Sequence, residues 1–139
     1  MWKSEHTQTA KATPEALWKR WTDVANWPEQ DASLESASIN GPFAIGSIIT
    51  LKPKGSPTVK VKLIEVTPLK SFSSTGSLPL AKLQFDHKAN ATAQGVEFTQ
   101  SVTISGPLSG LFSRLMGNTM GTNLKARMVK LAGLLEANN

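Results

Sequence analysis

The chain has 139 residues, of which 40% are hydrophobic and 18% charged, with a formal charge of +5 and a pI of about 9.7. This is an ordinary globular balance, neither disordered nor membrane-spanning, at a size that buries roughly two thirds of the unfolded surface and folds without a staple. There is no cysteine, which excludes a disulfide framework, a thiolate zinc site and a cysteine nucleophile.

The opening MWKSEHTQTAKATPEA lacks the apolar core of a signal peptide. The purely apolar runs are only a few residues long, far short of the ~20 that a membrane helix takes. A cytoplasmic protein with no membrane span is expected. The basic charge is spread along the chain, with a modest concentration at Lys52, Lys54, Lys60, Lys62 and Lys70, and the only arginines are Arg20, Arg114 and Arg127. No aromatic residue interleaves with the lysines, so there is no base-stacking platform and no nucleic-acid partner is expected. The lysines read as a solvated outer sheet face.

In chain order, Lys3 to Ala10 alternates loosely and predicts a first strand. ATPEALWKRWTDVANW then carries helix signals: Thr13 as N-cap, Pro14 at the first helical position and Glu15 at the positive end of the dipole. Leu17, Trp18 and Trp21 fall at helical spacing. Trp27-Pro28 is expected to end this region, because a residue before proline is pushed out of the α region.

From Leu34 to Ser105 the period becomes two. Strands are predicted at 34–39, 47–52, 58–66, 70–76, 80–89 and 96–105, separated by turn residues such as Asn40-Gly41-Pro42 and Thr67-Pro68. Six strands with tight turns and no helix between them read as an antiparallel meander. Val96, Phe98, Gln100, Val102 and Ile104 share one face of the last strand. Ala81, Leu83, Phe85 and His87 share one face of the strand before it.

Pro107 to Ala137 is helical in pattern, with one stripe at Leu108, Leu111, Phe112 and Leu115 and another at Met120, Leu124, Met128, Leu131 and Leu135. The stripes point in different directions. Glycines 117 and 121 flank the crossover, at a cost of roughly 1 kcal/mol each against alanine, so a kink, break or loosening is expected at 117–121.

Two phrases carry a family resemblance. ATPEALWKRWTDVANWPEQDASLESASINGPFAIGS supplies a small residue with Pro-Glu, a tryptophan helix, Asp, Trp-Pro, a strand and then spaced glycines. GVEFTQSVTISGPLSGLFSRLMG supplies a last strand running into a helix. In this order they resemble the START-like, or SRPBCC, superfamily, which includes polyketide cyclase/dehydrase-like proteins and the birch-pollen allergen type. The resemblance covers nearly the whole chain. It implies an α+β helix-grip (Bet v 1-like) fold in one domain over 1–139: a curved antiparallel seven-stranded sheet wrapped around a long C-terminal helix, with two short helices after the first strand.

Within that fold the short helices plug one end of the sheet. Trp18, Trp21 and Trp27 are then core residues first, each burying on the order of 150–250 Å², and Trp27 is the one expected to touch both core and ligand. An internal cavity is implied between sheet and helix, walled by Trp27, Leu51, Val61, Leu83, Phe85, His87, Phe98, Gln100, Leu115, Met120, Leu124 and Met128. For most of these, plain core packing is the competing reading. His87 and Gln100 lie on apolar strand faces, where an unpartnered polar group costs about 1–3 kcal/mol. If their strands are neighbours, they can bond each other, water or a ligand. His87 is the candidate general acid or base. Asp23, Glu29 and Asp31 follow a helix end and read as solvated.

Two departures weigh against a cyclase-type site. Gln30 stands where many relatives carry a second aromatic, and the chain has no tyrosine. There is no Gly-x-Ser-x-Gly elbow, no phosphate-binding Gly-Lys-Ser/Thr and no histidine–carboxylate spacing for a metal; no cofactor is expected. The leading expectation is a monomeric or homodimeric carrier or sensor of a small hydrophobic molecule (a lipid, polyketide or aromatic metabolite). The alternatives are a polyketide cyclase/dehydratase-like enzyme using His87, or a protein-interaction module.

Overall fold

The computed structural model describes residues 1–55, 57–78 and 80–137, apart from the side chains of 78 and 116–120. Strand β1 (Trp2–Ala10) is the alternating N-terminal stretch. Helix α1 (Pro14–Thr22) starts as its sequence dictates: Thr13 is extended, its Oγ1 accepts the Ala16 N–H at 3.1 Å, and Pro14 sits in the first turn.

Trp27-Pro28 does not end the helical region. A 3-10 helix spans Val24–Glu29 with Pro28 inside it. Proline removes only its own donor, which a short 3-10 segment tolerates. The turn closes one step later, where the Trp27 carbonyl accepts both the Gln30 N–H at 3.0 Å and the Asp31 N–H at 3.1 Å.

The remaining strands are β2 (Leu34–Ile39), β3 (Ile48–Pro53), β4 (Val59–Thr67), β5 (Ser71–Leu78), β6 (Ala81–Thr92) and β7 (Gly95–Ser105), followed by α2 (Ser109–Ala137). They form one seven-stranded sheet in the order β1-β7-β6-β5-β4-β3-β2, antiparallel at every pairing. This is the expected helix-grip architecture. The sheet register shifts between Leu34 and Ser36 and between Leu63 and Glu65. Such irregularities bend and twist strands locally and help the sheet curl.

Leu17, Trp21 and Val24 of the short helices pack with Ile49, Leu63, Phe72 and Phe98 of the sheet and with Leu124, Met128, Leu131 and Leu135 of α2. Phe72 is the hub. Its ring lies 5.0 Å from Phe43, 5.3 Å from Trp21, 6.3 Å from Trp18 and 6.4 Å from Trp27.

Of the outcomes expected at 117–121, the break is not there: α2 runs as one element from Ser109 to Ala137. At Gly121 an added Cβ would meet Ser4 Oγ at 3.3 Å. That glycine admits a close approach of α2 to β1.

Gly95, which opens β7, is held at φ +149°, and a Cβ there would lie 2.2 Å from the Ala10 carbonyl oxygen. Backbone, not a movable side chain, occupies the space. Gly95→Ala is expected to destabilise the protein by about 3 kcal/mol or more. The check is urea unfolding, with the midpoint falling at constant slope; an unchanged midpoint would show that the β1–β7 junction can relax.

Candidate functional site

Between the sheet's concave face and α2 lies a cavity of about 450 Å³. The two-residue period supplies most of its walls. Inward positions of β6 contribute Leu83, Phe85 and His87, β7 contributes Gln100 and Val102, and β5 contributes Phe72 and Ser74. Val59 and Val61 of β4, Leu51 and Pro53 of β3 and Leu34 of β2 continue the surface. Trp21 and Trp27 close one end, and α2 adds Leu115, Asn123, Arg127 and Leu131.

Of the residues expected at the cavity, Trp27, Leu51, Val61, Leu83, Phe85, His87, Gln100 and Leu115 line it. Leu115 is 70% exposed, so it stands at the rim. Phe98, Leu124 and Met128 are buried in the core and do not reach the cavity surface. The physical reason for the two helix residues is rotation: the cavity sees the stripe 123–127–131, one residue and about 100° away from 124–128. Met120 lies outside the described residues. Trp18 is half-buried, packed against the core cluster, and is not in the cavity wall.

The largest omission from the sequence reading is a polar group at Arg127 and Asp31. Asp31 is not solvated; it is 8% exposed. The double turn on the Trp27 carbonyl carries it inward, and its Oδ1 accepts the Ser33 N–H at 2.9 Å, an Asx turn that fixes the carboxylate. Arg127 Nη1 stands 3.8 Å from Asp31 Oδ2, and Arg127 Nε donates to Gln100 Oε1 at 3.3 Å. Burial lowers the Arg127 pKa and Asp31 raises it.

His87 and Gln100 are indeed directly paired across β6 and β7. Gln100, however, accepts from Arg127, and His87 Nδ1 is buried without a hydrogen-bond partner among the described residues. The His87 ring is stacked on Phe72, with centroids 3.9 Å apart and planes 11° apart, and meets Trp21 edge-on at 5.5 Å. Loss of solvation, and then the nearby Arg127 cation, push its pKa down to about 3, against a smaller opposing backbone hydrogen bond with Phe72. The histidine is a neutral aromatic wall. Gln30 Oε1 and Trp21 Nε1 are two further buried polar atoms without partners among the described residues, and both side chains line the cavity. No three of His, Cys, Asp and Glu among the described residues converge as metal ligands would.

Residues 1–136 match the family described as polyketide cyclase / dehydrase and lipid transport. The chain belongs to this family. It is a helix-grip protein of the START-like superfamily, and solved structures share its architecture. A protein from Mesorhizobium loti is 17% identical with a TM-score of 0.81, each chain covered to 99%. Ara h 8.0201 is 18% identical with a TM-score of 0.69, again with 99% of both chains covered. Norcoclaurine synthase from Thalictrum flavum, solved with dopamine and hydroxybenzaldehyde, is 14% identical with a TM-score of 0.75, over 99% of this chain and 88% of that one. At these identities the likeness carries the fold. No curated protein matches the chain at a significant level. No helix among the described residues is long and apolar enough to cross a membrane.

The histidine gives a pH dependence with a definite sign. Its native pKa of about 3 lies below the ordinary 6.5. Its contribution to stability is therefore complete above pH 6.5. As pH falls from 6.5 toward 3, the unfolded chain takes up a proton that the native ring refuses, and that contribution is lost. His87→Gln is expected to lose less stability than the wild type between pH 7 and pH 4, measured by denaturant titration at each pH. In NMR the native His87 ring signals are expected to stay constant from pH 8 to pH 5; a midpoint near 6.5 would contradict the burial account.

Proposed function

We propose that the protein is a carrier or sensor that holds one small hydrophobic molecule (a lipid, polyketide or aromatic metabolite) in the cavity between sheet and α2. In this reading residues 1–139 act as one domain, monomeric or homodimeric, in the cytoplasm. The observation that carries it is the cavity itself. Its volume of about 450 Å³ falls within the roughly 300–1,000 Å³ usual for small-molecule sites, and its make-up, apolar walls with a few placed polar groups, is also usual. Trp27, Leu51, Val61, Leu83 and Phe85 serve as the apolar contacts, and Gln100 as a polar one. Membership of a family whose description includes lipid transport agrees with this.

A cyclase or dehydratase reaction on His87 is the second reading, favoured by one fact: Nδ1 is unpartnered beside the cavity. A conjugate acid with a pKa of about 3 counts against it. Such a group holds no proton to give at neutral pH and is a weak base, whereas an efficient general acid–base group titrates near the working pH. The protein-interaction alternative has its basis in exposed lysines such as Lys60 and Lys62 on the outer face of β4, and it predicts steep salt dependence of a macromolecular complex.

The test uses N-phenyl-1-naphthylamine, a neutral apolar probe. It is expected to bind with a stoichiometry of one and to quench the fluorescence of Trp21 and Trp27. Leu51→Trp, which fills the cavity from a half-buried position, is expected to weaken binding by about tenfold or more while leaving the thermal midpoint within a few degrees. Equal binding by the folded variant, or no binding by the wild type, sinks the carrier reading.

A further inference from the structure

Resting on the reading of the cavity as an apolar-ligand site, we infer that the ligand carries a carboxylate, and that Arg127 receives it. The geometry around this one side chain is the ground. Arg127 lines the cavity, and its side chain is 23% exposed. A guanidinium presents five N–H donors in a rigid planar fork. Among the described residues it makes one hydrogen bond, from Nε to Gln100 Oε1 at 3.3 Å. Its ion-pair contact with Asp31, at 3.8 Å, is too long to be a hydrogen bond. Asp31 Oδ1 is held by Ser33, whose N–H and hydroxyl both donate to it. Asp31 Oδ2 faces the guanidinium at 3.8 Å, outside hydrogen-bond reach, so it does not occupy the fork.

Gln100 has the complementary effect. By accepting from Nε it fixes the plane of the guanidinium and leaves the Nη groups for another acceptor. A half-buried cation with unspent donors is an expensive group to keep in an apolar wall. A carboxylate meets both demands, taking two parallel N–H bonds and the charge together.

The charge count selects the valence. The ionic groups at the cavity are Arg127, Asp31 and, exposed at its mouth, Lys54; His87 is neutral. Two cations and one anion leave a single positive charge, which a monoanion cancels. A phosphate dianion would leave an excess negative charge among Leu51, Phe85 and Val61. The ligand class is thus an apolar monocarboxylic acid, either aliphatic or aromatic.

The experiment is calorimetric titration at pH 7.5 with two matched sets: decanoate against methyl decanoate and decanol, and naphthalene-2-carboxylate against its methyl ester. In wild type at least one acid is expected to bind about tenfold or more tightly than its neutral partners, and the set that shows it names the aliphatic or aromatic source. In Arg127→Met the acid-over-ester ratio is expected to collapse toward one, and Arg127→Lys is expected to restore it only in part, since it returns the charge without the fork. If Arg127→Met leaves Asp31 stranded and the protein does not fold, Arg127→Met with Asp31→Asn removes both charges and carries the same expectation. Acids that bind no better than their esters in wild type, or a ratio unchanged in the variant, overturn the inference while leaving the carrier reading intact, provided N-phenyl-1-naphthylamine binds. Failure of acids, esters and N-phenyl-1-naphthylamine alike overturns both.

Discussion

The stack of rings around Phe72 is the contact on which the rest of the molecule leans. A seven-stranded sheet whose terminal strands, β1 and β2, do not pair with each other is an open half-barrel. Left alone it would expose its concave face and flatten. Phe72, at the start of the central strand β5, gathers Trp18, Trp21, Trp27, Phe43 and His87 from α1, the 3-10 helix, the β2–β3 connection and β6. Aromatic pairs, three of these edge-to-face and two stacked, add about 0.5–1.5 kcal/mol each beyond the area they bury. The clustering of tryptophans between residues 18 and 27 is therefore structural in origin: these rings are the plug of the grip. Because two of them also face the cavity, the plug is at the same time the floor of the site.

The same cluster governs the chemistry. A histidine face-to-face with a phenyl ring, 3.9 Å away, has little water to solvate an imidazolium, and the Arg127 cation disfavours that charge further. Of the basic groups in the cavity wall, His87 is thus kept neutral while Arg127 stays charged. Arg127 retains its charge because Asp31 and Gln100 are in reach. The 3-10 turn matters here more than its length suggests, since it swings Gln30 and Asp31 off the protein surface and into the wall.

Much of the fold could be read in the order of residues. The strand boundaries follow from turn residues and from a period of two, and the N-cap at Thr13 and first-turn Pro14 place α1 directly. His87 and Gln100 stood out because polar residues on an apolar strand face are rare, and they do sit opposite each other. The helix was harder. A stripe of apolar residues shows which face is buried but not against what, and the face of α2 beside that stripe, at 123, 127 and 131, is the one that sees the cavity. Three arginines among fifteen basic residues was a faint signal for Arg127, since arginine suits half-buried ion pairs better than lysine. Asp31 reads as solvated in sequence because the direction of a side chain after Trp-Pro depends on which carbonyl closes the turn, and no local pattern encodes that. Gly121 reads as a weakness in sequence for the same kind of reason: the neighbour it approaches, Ser4 on β1, lies more than a hundred residues away.

The β1–β7 pairing has a consequence for how the chain is made. Trp2 to Ala10 pairs residue for residue with Ile104 back to Val96, whereas every other pairing, from β2–β3 to β6–β7, joins sequence neighbours. During synthesis the meander can assemble strand by strand as it emerges. The first strand made has no sheet partner until β7 is finished, and α2, which packs on it, comes later still. Non-local pairing of this kind slows folding and prolongs the exposure of an unpaired edge. The polar and charged side chains that alternate along β1 (Lys3, Glu5, Thr7 and Thr9 on one side, Ser4, His6 and Gln8 on the other) keep that waiting strand hydrophilic, a safeguard needed on the ribosome more than in the finished fold.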